Sequence, residues 1–282
     1  MFFVIQSDHT DDIEVAIIKS ILRQYRQSHS YVTMAASDFY VSEEDEETFQ
    51  ITTRAKTADD FDDRFRSGIP LGNISFVEKY LQIFYGVDHE NAIEVPPILR
   101  SDRFLKRKYS IVPLDKVPRT GRFFLKDATR QKELKYAGDL SLYITDEMFD
   151  PPLHRNDFSV RFDKTHLYQV SELVKVFAEY RIYVLDGEIN SNSFFAGNPL
   201  IFPDADLIHE AVELYSLQPD APRSYSLDVM VNDRGTSITE VHNFTSLGLY
   251  SVDWDDNLLY AYKDGLDYIL NYNTEQTEFS NF

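Results

Sequence analysis

The chain has 282 residues, no cysteine, and 28 basic against 47 acidic side chains, a formal net charge of -19. That length buries a core as one large domain or two intimate ones, and 43% hydrophobic with 27% charged residues are ordinary globular values, which argues against global disorder. The charge argues against nucleic acid and anionic membrane surfaces as partners, and the missing cysteine excludes disulfides, zinc knuckles and thiol catalysis.

In chain order, residues 2–6 form an apolar run that predicts a buried strand. The run is too short for a signal peptide and lacks a basic flank. No stretch approaches the ~18 apolar residues that span a bilayer, so the expected location is the cytoplasm. Asp11 opens a helical pattern with Ile13, Ala16, Ile17, Ile21 and Tyr25 on one stripe, and residues 31–36 predict a second strand. Two acidic runs follow, Glu43 to Glu47 and Asp59, Asp60, Asp62 and Asp63. They fit solvated faces, or a contact surface for a basic partner. Residues 76–84 are helical in pattern, and Pro96 and Pro97 make residues 94–99 extended or turning. Pro113 and Pro118 bracket the next connection, which places a boundary near Pro118. The expected organisation is an N-terminal α/β lobe over residues 1–117 and a second domain over residues 118–282.

Beyond the boundary, residues 122–126, 168–174 and 180–185 predict strands, with Asp186-Gly187 as a turn. Residues 204–217 and 258–270 predict helices. The clearest hairpin joins residues 224–231 to 236–241 through Asn232-Asp233-Arg234-Gly235. With the turn centred near residue 234, Asp228 and Glu240 fall opposite each other. Directly opposed residues have Cβ atoms ~5 Å apart, and like charges there are destabilising. A divalent cation held by the two carboxylates would compensate. Strand alternation puts His242 on the face of Glu240 and turns Asn243 away. The alternative is an exposed acidic sheet face with the register off by one. Upstream, Glu179, Arg181 and Tyr183 alternate onto one face, and Lys126 ends the strand of Phe123, Phe124 and Leu125. A carboxylate suits a ribose, an arginine a phosphate or carboxylate, and a lone inward ammonium needs an anion. Ordinary surface ion pairs would look the same one at a time. His154 and His166 show no partner in the sequence.

Taken in order, these residues resemble the ATP-grasp superfamily over about residues 119–270. FFLKDA resembles the strand with the phosphate-binding lysine, Lys126. KELKYAG, residues 132–138, resembles the loop that closes over the phosphates, with Lys132 or Lys135 as a second basic contact. SELV resembles the hinge where adenine docks on the main chain of Glu172, Leu173 and Val174. EYRIYVLDGEI resembles the strand with the ribose-binding acid, Glu179, and an arginine, Arg181. SLDVMV and TEVHNFTSLGLY resemble the metal-binding strands and the loop after them. The run FTSLGLY, together with GNISFVEKYLQIFYG upstream, is similar to a phage-associated clade marked by two arginines and a lysine. Arg181 and Lys126 match two of its markers, and Arg100, Arg161 and Arg223 are candidates for the third. One departure stands out: the asparagine expected two residues after the metal-binding glutamate is His242 here, with Asn243 next.

The resemblance implies an α/β (α+β) ATP-grasp fold of two α+β subdomains clasping ATP, preceded by the N-terminal lobe. It implies an ATP-dependent carboxylate–amine ligase working through an acyl phosphate, with ATP and Mg²⁺ as cofactors. The partners would be a small-molecule or peptide carboxylate and an amine acceptor. Lys126 and Arg181 would be catalytic; Asp228, Glu240 and His242 or Asn243 would hold metal. Because imidazole suits Mn²⁺ and other transition metals better than Mg²⁺, His242 points to a different metal, to Asn243 acting through a bulge, or to weakened catalysis. A phosphotransferase on the same fold, or a non-catalytic ATP-binding interaction protein with an acidic surface, are the alternatives.

Overall fold

A computed structural model describes residues 1–6, 13–25, 27–35, 38–44, 51–56, 61, 63–88, 94–118, 121–129, 141–144, 163–245, 247–249 and 257–279. The expectations at Lys132, Lys135 and Arg161 lie outside these residues.

The first sheet is built from β1 (Phe2–Gln6), β2 (Ser28–Ala35), β3 (Asp38–Glu44), β4 (Ile51–Lys56) and β5 (Ile69–Leu71), in the order β4-β3-β2-β1-β5. β1 lies inside the sheet, parallel to β2 and β5, and all five of its residues are buried. A strand covered on both faces has to be continuously apolar, which is how it reads in the sequence. Helix α1 (Ile13–Gln24) buries Ile18, Ile21 and Leu22. Helix α2 (Ile74–Tyr80) is capped by Asn73, whose Oδ1 accepts from the Phe76 N–H at 2.9 Å, an arrangement worth ~1 kcal/mol. It continues as one π turn over Leu81–Tyr85 and stops at Gly86, whose φ of +68° suits glycine.

The short helix α3 (Asp102–Leu105) leads into β6 (Tyr109–Pro113), β7 (Gly121–Asp127), β8 (Ser141–Ile144) and β9 (Leu167–Ser171), an antiparallel sheet ordered β6-β9-β7-β8. The boundary expected near Pro118 therefore passes through this sheet, between β6 and β7. The third sheet holds β10 (Val176–Leu185), β11 (Glu188–Gly197), β12 (Tyr225–Asn232) and β13 (Gly235–Asn243), ordered β11-β10-β12-β13 and antiparallel throughout.

Helix α4 (Ala205–Ser216), capped by Asp204, covers one face of the third sheet. Its Leu207, Ile208, Ala211 and Val212 share a core with Tyr180, Ile182, Val184, Tyr225, Leu227, Val229, Ile238 and Val241. Each fully buried side chain of this kind contributes ~1.5–3 kcal/mol. The opposite face of the sheet carries the polar residues. Helix α5 (Asn257–Phe279) returns to the N-terminal lobe, where Leu258, Leu259, Tyr262, Leu266 and Ile269 join the core around β1 and α2. Among the described residues no helix is long and apolar enough to cross a membrane.

Candidate active site

The second and third sheets face each other across a cleft of about 420 Å³, within the range of small-ligand sites. One wall is Phe124, Lys126, Gln169 and Ser171; the other is Glu179, Arg181, Phe195, Asp228, Met230, Thr239 and Glu240. Glu172, Leu173 and Val174, between β9 and β10, line the end where the walls join.

The polar face of the third sheet is organised in cross-strand rows. Glu179 pairs with Met230 nearest the hinge. Two residues along, ~7 Å further, Ser193, Arg181, Asp228 and Glu240 form a row across all four strands. The next row is Ser191, Tyr183, Ser226 and His242. The register expected for Asp228 and Glu240 is the one observed. It depends on a bulge: Asp228 pairs with Glu240, but Val229 pairs with Ile238, leaving Thr239 as the extra residue. Ile238 and Glu240 are two apart and would share a face in a regular strand. The bulge sends Ile238 into the α4 core and Glu240 into the cleft.

The charges in the central row are buried and closely matched. Arg181 donates through Nε and Nη2 to the two oxygens of Asp228, both at 2.7 Å, and through Nη1 to the Gly248 carbonyl at 3.0 Å. Lys126 Nζ donates to Glu240 Oε2 at 2.5 Å, and His242 Nε2 lies 2.8 Å from Glu240 Oε1. Protein cations thus meet each carboxylate, so the like-charge pair does not depend on a metal alone. Burial by itself would raise the Glu240 carboxyl, but Lys126 and His242 together hold it well below the usual range. Burial pushes Asp228 up, against the pull of Arg181 and with the Glu240 charge adding to the rise. Two adjacent carboxyls with opposite shifts are a common signature of a working site.

Lys126 is fixed by its strand. Its neighbour Asp127 is buried, with Oδ2 2.7 Å from His166 Nδ1 and Oδ1 accepting from the Thr129 N–H at 2.8 Å. His166, without a partner in the sequence, thus secures the end of the lysine strand. At the hinge, the Glu172 side chain turns away from adenine-type contacts. It accepts from Arg234 at 2.6 and 2.9 Å, and Arg234 together with the Lys108 N–H lowers its carboxyl to about 2. Asn243 lies in the row of Tyr225, off the carboxylate face, and accepts from the Thr245 hydroxyl.

Residues 104–258, more than half of the chain, match the model of an ATP-grasp domain, family 2 of its clade. The chain belongs to this ATP-grasp family. Solved structures of similar fold include D-alanine–D-alanine ligase from Bacillus anthracis complexed with ATP (12% identity, 98% of each chain covered, TM-score 0.49). Another is D-alanyl-alanine synthetase A from Vibrio cholerae (11% identity, 96% of this chain and 97% of that chain, TM-score 0.47). A third is the ATP-grasp ligase PsnB with a phosphomimetic variant of its minimal precursor, Mg and ADP (14% identity, 95% of this chain and 98% of that chain, TM-score 0.46). No curated protein matches the chain in sequence.

In this ATP-grasp chain the three side chains Asp228, Glu240 and His242 offer ligand atoms that all lie within 4.8 Å of one another. Two carboxylates and an imidazole are a fitting donor set for a divalent cation. Of the arginines singled out in the sequence, Arg100 pairs with Glu94 at 2.9 Å and Arg223 pairs with Asp186 on the surface. Neither lines the cleft. Arg107 does, and sequence reasoning missed it. Its guanidinium is 7% exposed and donates to the carbonyls of Leu105 (3.1 Å) and Ile238 (2.9 Å), with no carboxylate partner among the described residues. Burial lowers it to about 10, which leaves it charged at neutral pH. The signal was present in the alternation of Arg107, Tyr109 and Ile111, but Pro113 turned attention from a strand there. Gln169, Phe124, Phe195 and Met230, also in the lining, carry no local signal.

Proposed function

We propose that the chain is an ATP- and divalent-metal-dependent carboxylate–amine ligase that works through an acyl phosphate. The observation that carries this is the buried row of Arg181, Asp228 and Glu240, with Lys126 over it, at one end of a cleft whose other end is a backbone hinge. Adenine would hydrogen-bond the main chain of Glu172 to Val174, and Glu179 would accept from the ribose hydroxyls. Lys126 and Arg107 would hold phosphate oxygens; Arg107 is the more telling, because a buried guanidinium without a carboxylate is suited to an anionic ligand. Lys135, in the segment between β7 and β8, would add a second basic contact. Asp228, Glu240 and His242 would hold a divalent cation that screens the phosphate charge as the γ-phosphoryl group moves.

A substrate carboxylate oxygen would attack the γ-phosphorus as the bond to the β-phosphate oxygen breaks, releasing ADP. The amine nitrogen would then attack the acyl carbon, phosphate would leave, and the amine proton would leave with it. The protein supplies position and charge compensation instead of a nucleophile. Arg181 acts on Asp228 first: two of its nitrogens fix both carboxylate oxygens.

The test is ADP release by the purified chain over a panel of amino acids and short peptides with Mg²⁺ or Mn²⁺. Release should depend on a carboxylate and an amine together, with an amide among the products. Asp228→Ala should abolish it. Full metal-dependent turnover by that variant, or a stable phosphorylated product without an amide, would overturn the reading.

A further inference from the structure

We propose that His242 is a direct nitrogen ligand of the divalent cation, and that it makes this site select Mn²⁺ over Mg²⁺. The inference rests on the metal site proposed above and concerns what this chain's own residues do to it.

Three observations decide between the residues available. Asn243 is turned to the other face of β13 and engaged with Thr245. The bulge of β13 lies at Thr239, before Glu240, so the alternation from Glu240 to His242 is regular and no local bulge brings Asn243 round. His242 is buried, 6% exposed, with Nε2 2.8 Å from Glu240 Oε1. Two neighbouring ligands on an octahedral ion at ~2.1 Å from each are ~3 Å apart. The spacing between Glu240 Oε1 and His242 Nε2 is therefore already close to one edge of such a shell. Asp228 completes a set of ligand atoms within 4.8 Å.

The surroundings favour the same reading. Ser226 is fully buried opposite His242, two residues from Asp228 on the same face, and its Oγ has no hydrogen-bond partner among the described residues. An orphaned oxygen beside the imidazole leaves the polar row incomplete without a further polar occupant. An oxygen-only site suits Mg²⁺, which sheds water reluctantly and takes imidazole poorly. Replacing one oxygen by an imidazole nitrogen shifts preference along the first transition series, and Mn²⁺ keeps the affinity for carboxylate and phosphate that the remaining ligands need.

The experiment is electron paramagnetic resonance on the full chain with Mn²⁺ and ADP, using protein labelled with ¹⁵N-histidine beside unlabelled protein. Electron spin-echo modulation should show a directly bound histidine nitrogen whose frequencies change with the label, which separates it from the nitrogens of adenine. In His242→Asn the histidine coupling should vanish while ADP-dependent Mn²⁺ binding persists, and the Mg²⁺ excess needed to displace Mn²⁺ should fall about tenfold or more. The wild-type isotope experiment needs no variant to fold. An Mn²⁺–ADP complex without histidine coupling, or an unchanged Mg²⁺ excess in the variant, overturns the proposal and leaves the nucleotide site standing. Absence of ADP-dependent Mn²⁺ binding by the wild type overturns both.

Discussion

Asp228 and Arg181 are 3% and 6% exposed, and each holds its charge in the protein because the other is there. Removing one partner of such a pair strands the other and typically costs ~3–5 kcal/mol. Asp228→Asn should therefore lower unfolding free energy by about 3 kcal/mol in denaturant titration, as well as removing a metal ligand. Arg107 should behave in the opposite sense. Its buried charge faces the cleft with only carbonyl partners, so Arg107→Met should leave the melting temperature without nucleotide unchanged or raised. Loss of charge-assisted hydrogen bonds to phosphate should weaken ADP binding about tenfold or more. Calorimetric titration with ADP and a thermal melt of the same variant check both halves. At this scale the site was partly legible. Lys126, Glu179, Arg181, Asp228, Glu240 and His242 stand in patterns that a reader can place on one face. The pairing of Asp228 with Glu240 was found with help from a feature the sequence does not display. An unbroken ladder through the turn at Asp233 and Arg234 would set Asp228 opposite Thr239; the bulge at Thr239 restores Glu240.

At the scale of elements, the hinge and the hairpin are locked together. Arg234, in the two-residue turn between β12 and β13, donates to Glu172 and to the Lys106 carbonyl. The turn closes on Gly235, whose φ of +106° favours glycine. Sequence reasoning found this turn from Asn232-Asp233-Arg234-Gly235, but it had no way to bring Arg234 to Glu172, 62 residues away. The clamp has a pH signature. Arg234 and the Lys108 N–H hold the Glu172 carboxyl at about 2, below the ordinary glutamate value of ~4.3. The folded state then binds fewer protons than the unfolded one between those values, so the contribution is fully present above ~pH 5 and fades as pH falls toward about 2. The melting temperature of Glu172→Gln should lie below wild type at neutral pH, with the gap closing on acidification; a gap that is constant from pH 7 to pH 3 would refute the clamp. Salt should also narrow it, since the pair is solvent-facing.

At the scale of the whole molecule, the least legible feature is which parts pack together. β6 precedes Pro118 yet pairs with β9, and α5 ends the described chain yet packs on the first lobe. Neither follows from local pattern, because sheet order and helix docking are set by contacts between distant residues. α5 also touches the site strand. Phe244, the residue after β13, packs on Tyr183 and edge-on to Tyr262 of α5 with ring centroids 5.7 Å apart. Gly265 of α5 faces the same backbone: a Cβ there would meet the Phe244 carbonyl carbon at 2.9 Å and its nitrogen at 3.0 Å. Helix propensity alone favours Gly265→Ala by ~1 kcal/mol. Backbone atoms cannot step aside as a flexible side chain does, so the helix or the strand end must move, and overpacking of this kind costs ~1–3 kcal/mol. Gly265→Ala should therefore be net destabilising in denaturant titration, against the propensity scale. Because Phe244 follows Glu240 and His242 by a few residues, the same variant should weaken ADP-dependent Mn²⁺ binding. Lys263→Ala, on the exposed side of α5 where Lys263 pairs with Asp267, should leave metal binding unchanged and stability within about 0.5 kcal/mol. Stabilisation by Gly265→Ala, with metal binding intact, would show that α5 and the site strand are mechanically independent.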